Sequence, residues 1–245
     1  MKTKLFAGAL CAGLIFSSLS AVLHASVTID RTRLIYQDGD KEADVRLKND
    51  GSKPVITQSW LDTGISNEAP DKIRVPFVLM PPIARLDAGR SQVIRVVYTG
   101  DVLPQDKESV FWLNVLEIPP KEQSEEPKNT LQFAIRSRIK LFYRPKGLLG
   151  DAGKAPSMLT WKVVPTADGY ALEASNPSPC HVSLNRVAIQ VGGETVEGGD
   201  GMVNPGETQR FVLKGVHGAP GAARVIYSFI DDYGAIRDNN TAALH

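Results

Sequence analysis

Leu131 to Pro145 reads LQFAIRSRIKLFYRP. Its odd positions carry Leu131, Phe133, Ile135, Ser137, Ile139, Leu141 and Tyr143, and its even positions carry Gln132, Ala134, Arg136, Arg138, Lys140, Phe142 and Arg144. Successive side chains of a strand point to opposite faces, so this spacing predicts one long strand with an apolar face and a basic face. The run exceeds the usual strand of about 5–6 residues. Two readings compete. The strand either closes a β-sandwich and turns its odd face into its own core, or it lies at an edge with apolar residues left open for another chain. Proteins normally blunt a long hydrophobic edge, so leaving one open makes sense only where pairing with a partner is the function.

Outward from this stretch, short strand patterns recur between turn signals. Upstream lie Val27-Thr28-Ile29, Ala43 to Leu47, Val55 to Leu61 with Trp60 as a bulky core candidate, Gln92 to Tyr98, and Val110 to Ile118. Asn49-Asp50-Gly51 is a strong turn, Pro70, Pro76 and Pro81-Pro82 punctuate the middle, and Pro104 to Ser109 is expected to form a single helical turn. The polar run Lys121 to Thr130, KEQSEEPKNT, reads as a mobile loop. This density of strands, without a convincing amphipathic helix, fits an immunoglobulin-like sandwich. Gly147-Leu148-Leu149-Gly150-Asp151 interrupts the rhythm and marks the expected boundary between a first sandwich over 26–147 and a second over 148–245. In the second half Leu159 to Val164, Tyr170 to Ala174, Val182 to Val191, Glu207 to Leu213 and Ala223 to Ile230 are strand-like. Asp168-Gly169, Gly192-Gly193, Gly198-Gly199-Asp200-Gly201 and Asn204-Pro205-Gly206 are expected turns. No internal period repeats, which argues against a solenoid. The expected fold class is all-β, with two immunoglobulin-like β-sandwich domains.

Residues 1–25 read as a secretory signal peptide: Lys2 and Lys4 precede an apolar run from Leu5 to Leu19, and cleavage after Ala25 leaves a chain starting at Ser26. Cleavage after Ser20 and a retained anchor are the alternatives, although the apolar run is short for a spanning helix. The formal net charge is +1 over 245 residues, and nothing in it points to nucleic acid. Of two cysteines, Cys11 belongs to the leader, so Cys180 remains alone and no intrachain disulfide can form in the processed chain. Cys180 reads as a small buried apolar residue; a nucleophile needs a base, and a strand would point His181 to the opposite face. Lipase-type, zinc-protease, Cys-x-x-Cys and phosphate-loop motifs are all missing, and no catalytic residue is assigned. The acidic cluster Asp38, Asp40, Glu42 and Asp44 has Ala43 and Asn49 where a calcium loop needs Gly and Glu, so no metal site is expected.

Six blocks occur in order: Asp30-Arg31-Thr32-Arg33, Met80 to Leu86 (MPPIARL), Pro104 to Ser109 (PQDKES), Asn114 to Pro120 (NVLEIPP), Ile139 to Pro145 (IKLFYRP) and Asp231-Asp232-Tyr233-Gly234. Together they resemble the periplasmic pilus chaperones of the chaperone–usher pathway, over nearly the whole chain after the leader. The resemblance implies two immunoglobulin-like domains set as an L around a cleft. It implies that Arg33 and Lys140 point into that cleft and hold the C-terminal carboxylate of a pilus subunit. Leu131, Phe133 and Ile135 match the family's alternating anchors, which lend a subunit the strand its own incomplete sandwich lacks. Glu108, Arg144 and Asp232 match a triad that bridges the two domains.

The partners so implied are pilus subunits and an outer-membrane usher, in the periplasm, with no nucleic acid and no membrane insertion. No cofactor and no nucleotide hydrolysis is implied. When free, the protein must hide its edge, either beneath the Lys121 to Thr130 loop or by self-pairing of two chaperones. The ten residues of that loop and the missing disulfide resemble the short-loop class. Two other classes remain: a secreted immunoglobulin-like binding or structural module, and a hydrolase on a β scaffold.

Overall fold

A computed structural model describes residues 26–120, 133–216, 218 and 223–244. The expected leader with Cys11, the loop Lys121 to Thr130, Leu131, Gln132, His217 and His245 lie outside the described residues.

The first half forms strands β1 (Val27–Ile29), β2 (Arg33–Gln37), β3 (Ala43–Asn49), β4 (Val55–Asp62), β5 (Phe77–Met80), β6 (Ile83–Leu86), β7 (Ser91–Tyr98), β8 (Ser109–Ile118) and β9 (Ile135–Arg144). One sheet has the order β1-β3-β7-β5 and the facing sheet β2-β9-β8-β4-β6. Their inner faces enclose a core that includes Leu34, Tyr36, Val45, Leu47, Leu113, Leu141 and Tyr143. The alternation is clean in β3, where Ala43, Val45 and Leu47 are buried and Asp44, Arg46 and Lys48 are exposed. At one end of the core Tyr36 stacks on Tyr143 with ring centroids 6.2 Å apart, and Phe77 meets Phe111 edge-on at 5.1 Å. Each such side chain contributes about 1.5–3 kcal/mol by burial.

Several expectations need correction. The long strand starts at Ile135; Phe133 and Ala134 precede it in irregular backbone, and Phe133 is 52% exposed. Trp60 is not a core residue. In β4 the side chains of Val55, Thr57, Ser59 and Leu61 point inward, so Trp60 falls on the outer face, where the Arg136 guanidinium lies 4.9 Å above its ring. No helical turn forms over Pro104 to Ser109. The Glu108 N–H donates instead to the Pro179 carbonyl of the second half, at 2.9 Å. β2, β5 and β6 escaped the pattern reading because β2 buries Arg33, Leu34 and Tyr36 without alternation and the other two are four residues long.

The second half adds a single 3-10 turn (Ala155–Met158) and strands β10 (Thr160–Thr166), β11 (Gly169–Ser175), β12 (Val182–Val191), β13 (Glu194–Val203), β14 (Thr208–Leu213), β15 (Ala223–Ile230) and β16 (Ile236–Ala243). Its sheets run β10-β11-β14 and β13-β12-β15-β16 around a core centred on Trp161, Leu172, Val187, Ile189 and Phe211. Gly198 to Gly201 is not a turn but part of β13. Two of its glycines are there for space: a Cβ on Gly198 would meet the Phe211 Cβ at 3.1 Å, and one on Gly201 would meet the Phe211 ring at 3.1 Å. The chain is thus all-β, with two immunoglobulin-like sandwiches.

Candidate functional site

The even face of β9 does two jobs along its length. From Lys140 onward it turns toward the second sandwich, which is why Phe142 is buried although it lies opposite the core residues Leu141 and Tyr143. The His181 ring covers Phe142, with centroids 5.4 Å apart. A cavity of about 570 Å³ opens beside this contact, lined by Arg33, Phe142 and Arg144 from the first sandwich and by His181, Ile230 and Asp232 from the second.

β2 runs parallel to β9 and sets Arg33 beside Lys140. Arg33 is 8% exposed, and its Nη1 donates to the Ile230 carbonyl at 2.9 Å. Its Nε is buried without an acceptor among the described residues. Burial pulls the Arg33 pKa down, against the opposing charges of Asp232 and Asp231. Lys140 Nζ reaches Ser183 Oγ at 3.3 Å and lies 5.3 Å from the Trp112 ring centre. Burial, reinforced by the neighbouring Arg33 charge, lowers the Lys140 ammonium to about 8, with Asp200 opposing. Two cations side by side, Arg33 buried and Lys140 half-buried, repel each other. An anion placed between them relieves both, and a carboxylate would take charge-assisted hydrogen bonds from each.

Four residues beyond Lys140, Arg144 donates through Nε to Glu108 Oε1 at 2.7 Å and through Nη1 and Nη2 to the Asp232 carboxylate at 2.8 and 3.1 Å. Glu108 also accepts from the His181 backbone N–H at 2.8 Å and faces His181 Nδ1 at 3.2 Å. Burial raises the Glu108 carboxyl, but His181 and Arg144 outweigh it and hold the group below its usual range. The Arg144 guanidinium is raised, its burial more than offset by Asp232 and Glu108. The sequence reading weighed His181 only as a base for Cys180; its contact with Glu108, 73 positions away, follows no local pattern. Its neighbour Cys180 is buried in the second core and its thiol is pushed up to about 12, chiefly by burial, which is the wrong direction for a nucleophile.

Toward its start, β9 is different. β8 pairs with it from Ile135 through Tyr143, whereas β2 covers only Lys140 to Arg144. From Ile135 to Ile139 one edge therefore has no strand neighbour among the described residues. The even face of this segment is locked from behind. Arg136 donates to Asn114 Oδ1 through Nε at 2.8 Å and Nη2 at 2.6 Å, and to the Ser66 carbonyl at 2.6 Å. Arg138 lies 4.5 Å over the Trp112 ring and pairs with Asp62. Asp62 is fully buried; burial raises its pKa, but Arg138, Asn114 and the Gly64 N–H bring it below the usual range. Asp62 was not singled out in the sequence, and Asn114 entered only as the first residue of the NVLEIPP block, with no role assigned. Of the three expected anchors, Ile135 opens β9 half-buried, Phe133 is exposed just before it, and Leu131 is outside the described residues. Among the described residues no helix is long and apolar enough to cross a membrane, and no group of His, Cys, Asp and Glu could hold a metal.

Comparison with known proteins gives one consistent answer. The model described as pili and flagellar-assembly chaperone, PapD N-terminal domain, matches residues 26–149, and that of pili assembly chaperone PapD, C-terminal domain, matches 154–241. Chaperone protein FimB/FhaD of Bordetella pertussis is 42% identical over 224 residues, 90% of this chain and 89% of that one. YadV of Escherichia coli K12, described as a probable fimbrial chaperone, is 41% identical over 228 residues, 92% of each chain. The crystal structure of a YadV chaperone superposes with a TM-score of 0.78 at 38% identity, over 90% of this chain and 100% of the other. A Salmonella enterica structure of the SafA pilin in complex with the SafB chaperone superposes with a TM-score of 0.74 at 27% identity, over 91% and 99%.

Proposed function

The chain belongs to the family of pilus-assembly chaperones, and we propose that it binds, folds and caps pilus subunits in the periplasm and delivers them to an outer-membrane usher. The observation that carries this reading is the one-sided strand: a free edge from Ile135 to Ile139 that runs straight into the Arg33–Lys140 pair. The C-terminal carboxylate of a subunit sits between the two cations. The subunit's last strand then runs along the open edge of β9 and exchanges main-chain hydrogen bonds with it. Leu131, Phe133 and Ile135 enter the groove left by the strand the subunit lacks, and so keep its apolar core from aggregating. The SafA pilin solved with the SafB chaperone supports a subunit of this kind as partner.

The work is pairing and burial; no bond in the subunit is made or broken, so the protein is not an enzyme. The leader pattern over 1–25 supports the periplasmic address. Glu108, Arg144 and Asp232 hold the two sandwiches, divided at 147/148, at a fixed angle around the cleft. When no subunit is bound, two chaperones cover the edge by self-pairing. A secreted binding or structural module is not favoured, since both family matches are to assembly chaperones.

The test is co-purification from periplasm, with the recovered partners read by mass spectrometry. Wild type should bring down small pilin-like proteins. Arg33→Ala and Lys140→Ala should keep the wild-type circular dichroism spectrum and bring down none. Full capture by a folded Lys140→Ala protein would falsify the carboxylate anchor.

A further inference from the structure

Glu117 lies near the end of β8 and is 9% exposed. Its carboxylate accepts three hydrogen bonds from the first two described residues: from Ser26 N and Val27 N, each at 3.0 Å, and from Ser26 Oγ. Its neighbours across the sheet are Thr57 and Ile135, neither of which carries charge. Among the described residues no Lys, Arg or His pairs with it. A buried carboxylate with no counter-charge is costly, and neutral donors offset that cost only in part.

Ser26 is half-buried and bonded on two sides although it precedes the first strand. Its carbonyl accepts from Asp50 N at 2.7 Å. On the other side Gly51 leaves it no spare room: a Cβ there would stand 2.6 Å from the Ser26 Cβ, so only glycine lets the two chains approach. Such a grip on one backbone nitrogen, by a carboxylate with no cation beside it among the described residues, is the arrangement expected of a receptor for a chain terminus.

We propose that Glu117 is the receptor for the α-ammonium group of Ser26. Hydrolysis of the Ala25–Ser26 bond by a leader-removing peptidase adds water across that bond. It releases the Ala25 carboxylate and leaves Ser26 with an amine, which takes a proton at neutral pH. The nitrogen that already points at Glu117 then supplies the missing positive charge. The ion pair closes only after processing, and it ties the start of β1 to the rung of β8 opposite Ile135, where the free edge of β9 begins. The domain match beginning at residue 26 agrees with a fold that starts there.

The experiment starts from the full chain exported with its own leader. Intact mass and N-terminal sequencing of the periplasmic protein should give Ser26 as the first residue; any other start overturns the proposal. Four proteins are then compared by thermal unfolding: chains starting at Ser26 or at Ala25, each with Glu117 or Glu117→Gln. One extra residue moves the amine by about 3.8 Å. The midpoint should fall by about 2–4 °C in the Glu117 background and stay level in the Gln background, a non-additive cycle. Equal midpoints for the two starts with Glu117 present overturn it. Should Glu117→Gln not fold, selective acetylation of the Ser26 amine in the otherwise native protein serves instead: the same fall supports the pair, and an unchanged midpoint overturns it.

Discussion

Ile135–Ile139 and Lys140–Arg144 are halves of one strand with opposite fates. The second half has β8 on one edge and β2 on the other, a core under its odd face and the second sandwich over its even face. The first half has β8 alone among the described residues; its even face is packed on Trp60, Trp112 and Asp62, and its odd side chains are only half-buried. The difference shows how an all-β protein can carry an open edge without losing its fold. The closed half supplies the stability, and the open half is held straight from behind by arginines stacked on tryptophans. A partner chain can then supply the missing neighbour.

The largest effect should come from the junction of the two halves. Arg33→Ala or Lys140→Ala should each weaken subunit capture by about thirtyfold or more, since removing a charged partner from a buried contact costs about 2–5 kcal/mol. Titration calorimetry with a purified subunit reads the loss. Capture should also depend on pH through Lys140. Its folded pKa of about 8 lies below that of a free lysine, so it loses its proton as pH rises through 8 and the carboxylate loses one of its two cations. Affinity should therefore fall above pH 8 in wild type and show no such step in Lys140→Ala. In the free protein the sign is opposite: burying the charged lysine costs stability below its folded pKa, and that cost is relieved as pH rises from about 8 toward 10.4.

Next comes the open half itself. Phe133→Ser should weaken capture by about ten- to a hundredfold, the loss of about 1.5–3 kcal/mol of apolar burial, whereas Gln132→Ser should not. Hydrogen exchange sharpens the contrast: amides from Ile135 to Ile139 should gain protection on binding, and those from Lys140 to Arg144 should already be protected. Equal protection of both halves in the free protein would break the comparison.

The backing of the open half is expected to matter somewhat less. Asp62→Asn removes the charge that Arg138 and Arg136 share and leaves buried donors underused, at a cost of about 1–3 kcal/mol in chemical unfolding. Exchange at Ile135 to Ile139 should speed up with it. The smallest effect belongs to Asp232→Ala: this side chain is 38% exposed, and such pairs contribute about 0–1 kcal/mol. Arg144→Ala should change the angle between the sandwiches, read by solution scattering, more than it changes the unfolding midpoint.

Much of this architecture is legible in the sequence. β12 and β15 fall at the expected residues, and the alternation of Leu141 and Tyr143 against Arg144 placed the core face of β9 correctly. Glycine misled where it served close packing rather than turning, as at Gly198 and Gly201 beneath Phe211. Trp60 misled because size does not say which face of a strand a side chain takes. Arg33, Lys140, Glu108, Arg144 and Asp232 were named from a resemblance; as isolated charges they would have passed for surface residues.

Local periodicity therefore determined the class of fold, the number of sandwiches and the core face of the closed half of β9, because alternation is a property of consecutive residues. Which edge of β9 is covered, why Phe142 is buried on a basic face, and that His181 and Glu108 meet were decided by tertiary structure alone. Each depends on a neighbour brought from far along the chain, β2 for the edge and β12 for the face, and no spacing within the strand encodes which neighbour arrives or where its coverage stops.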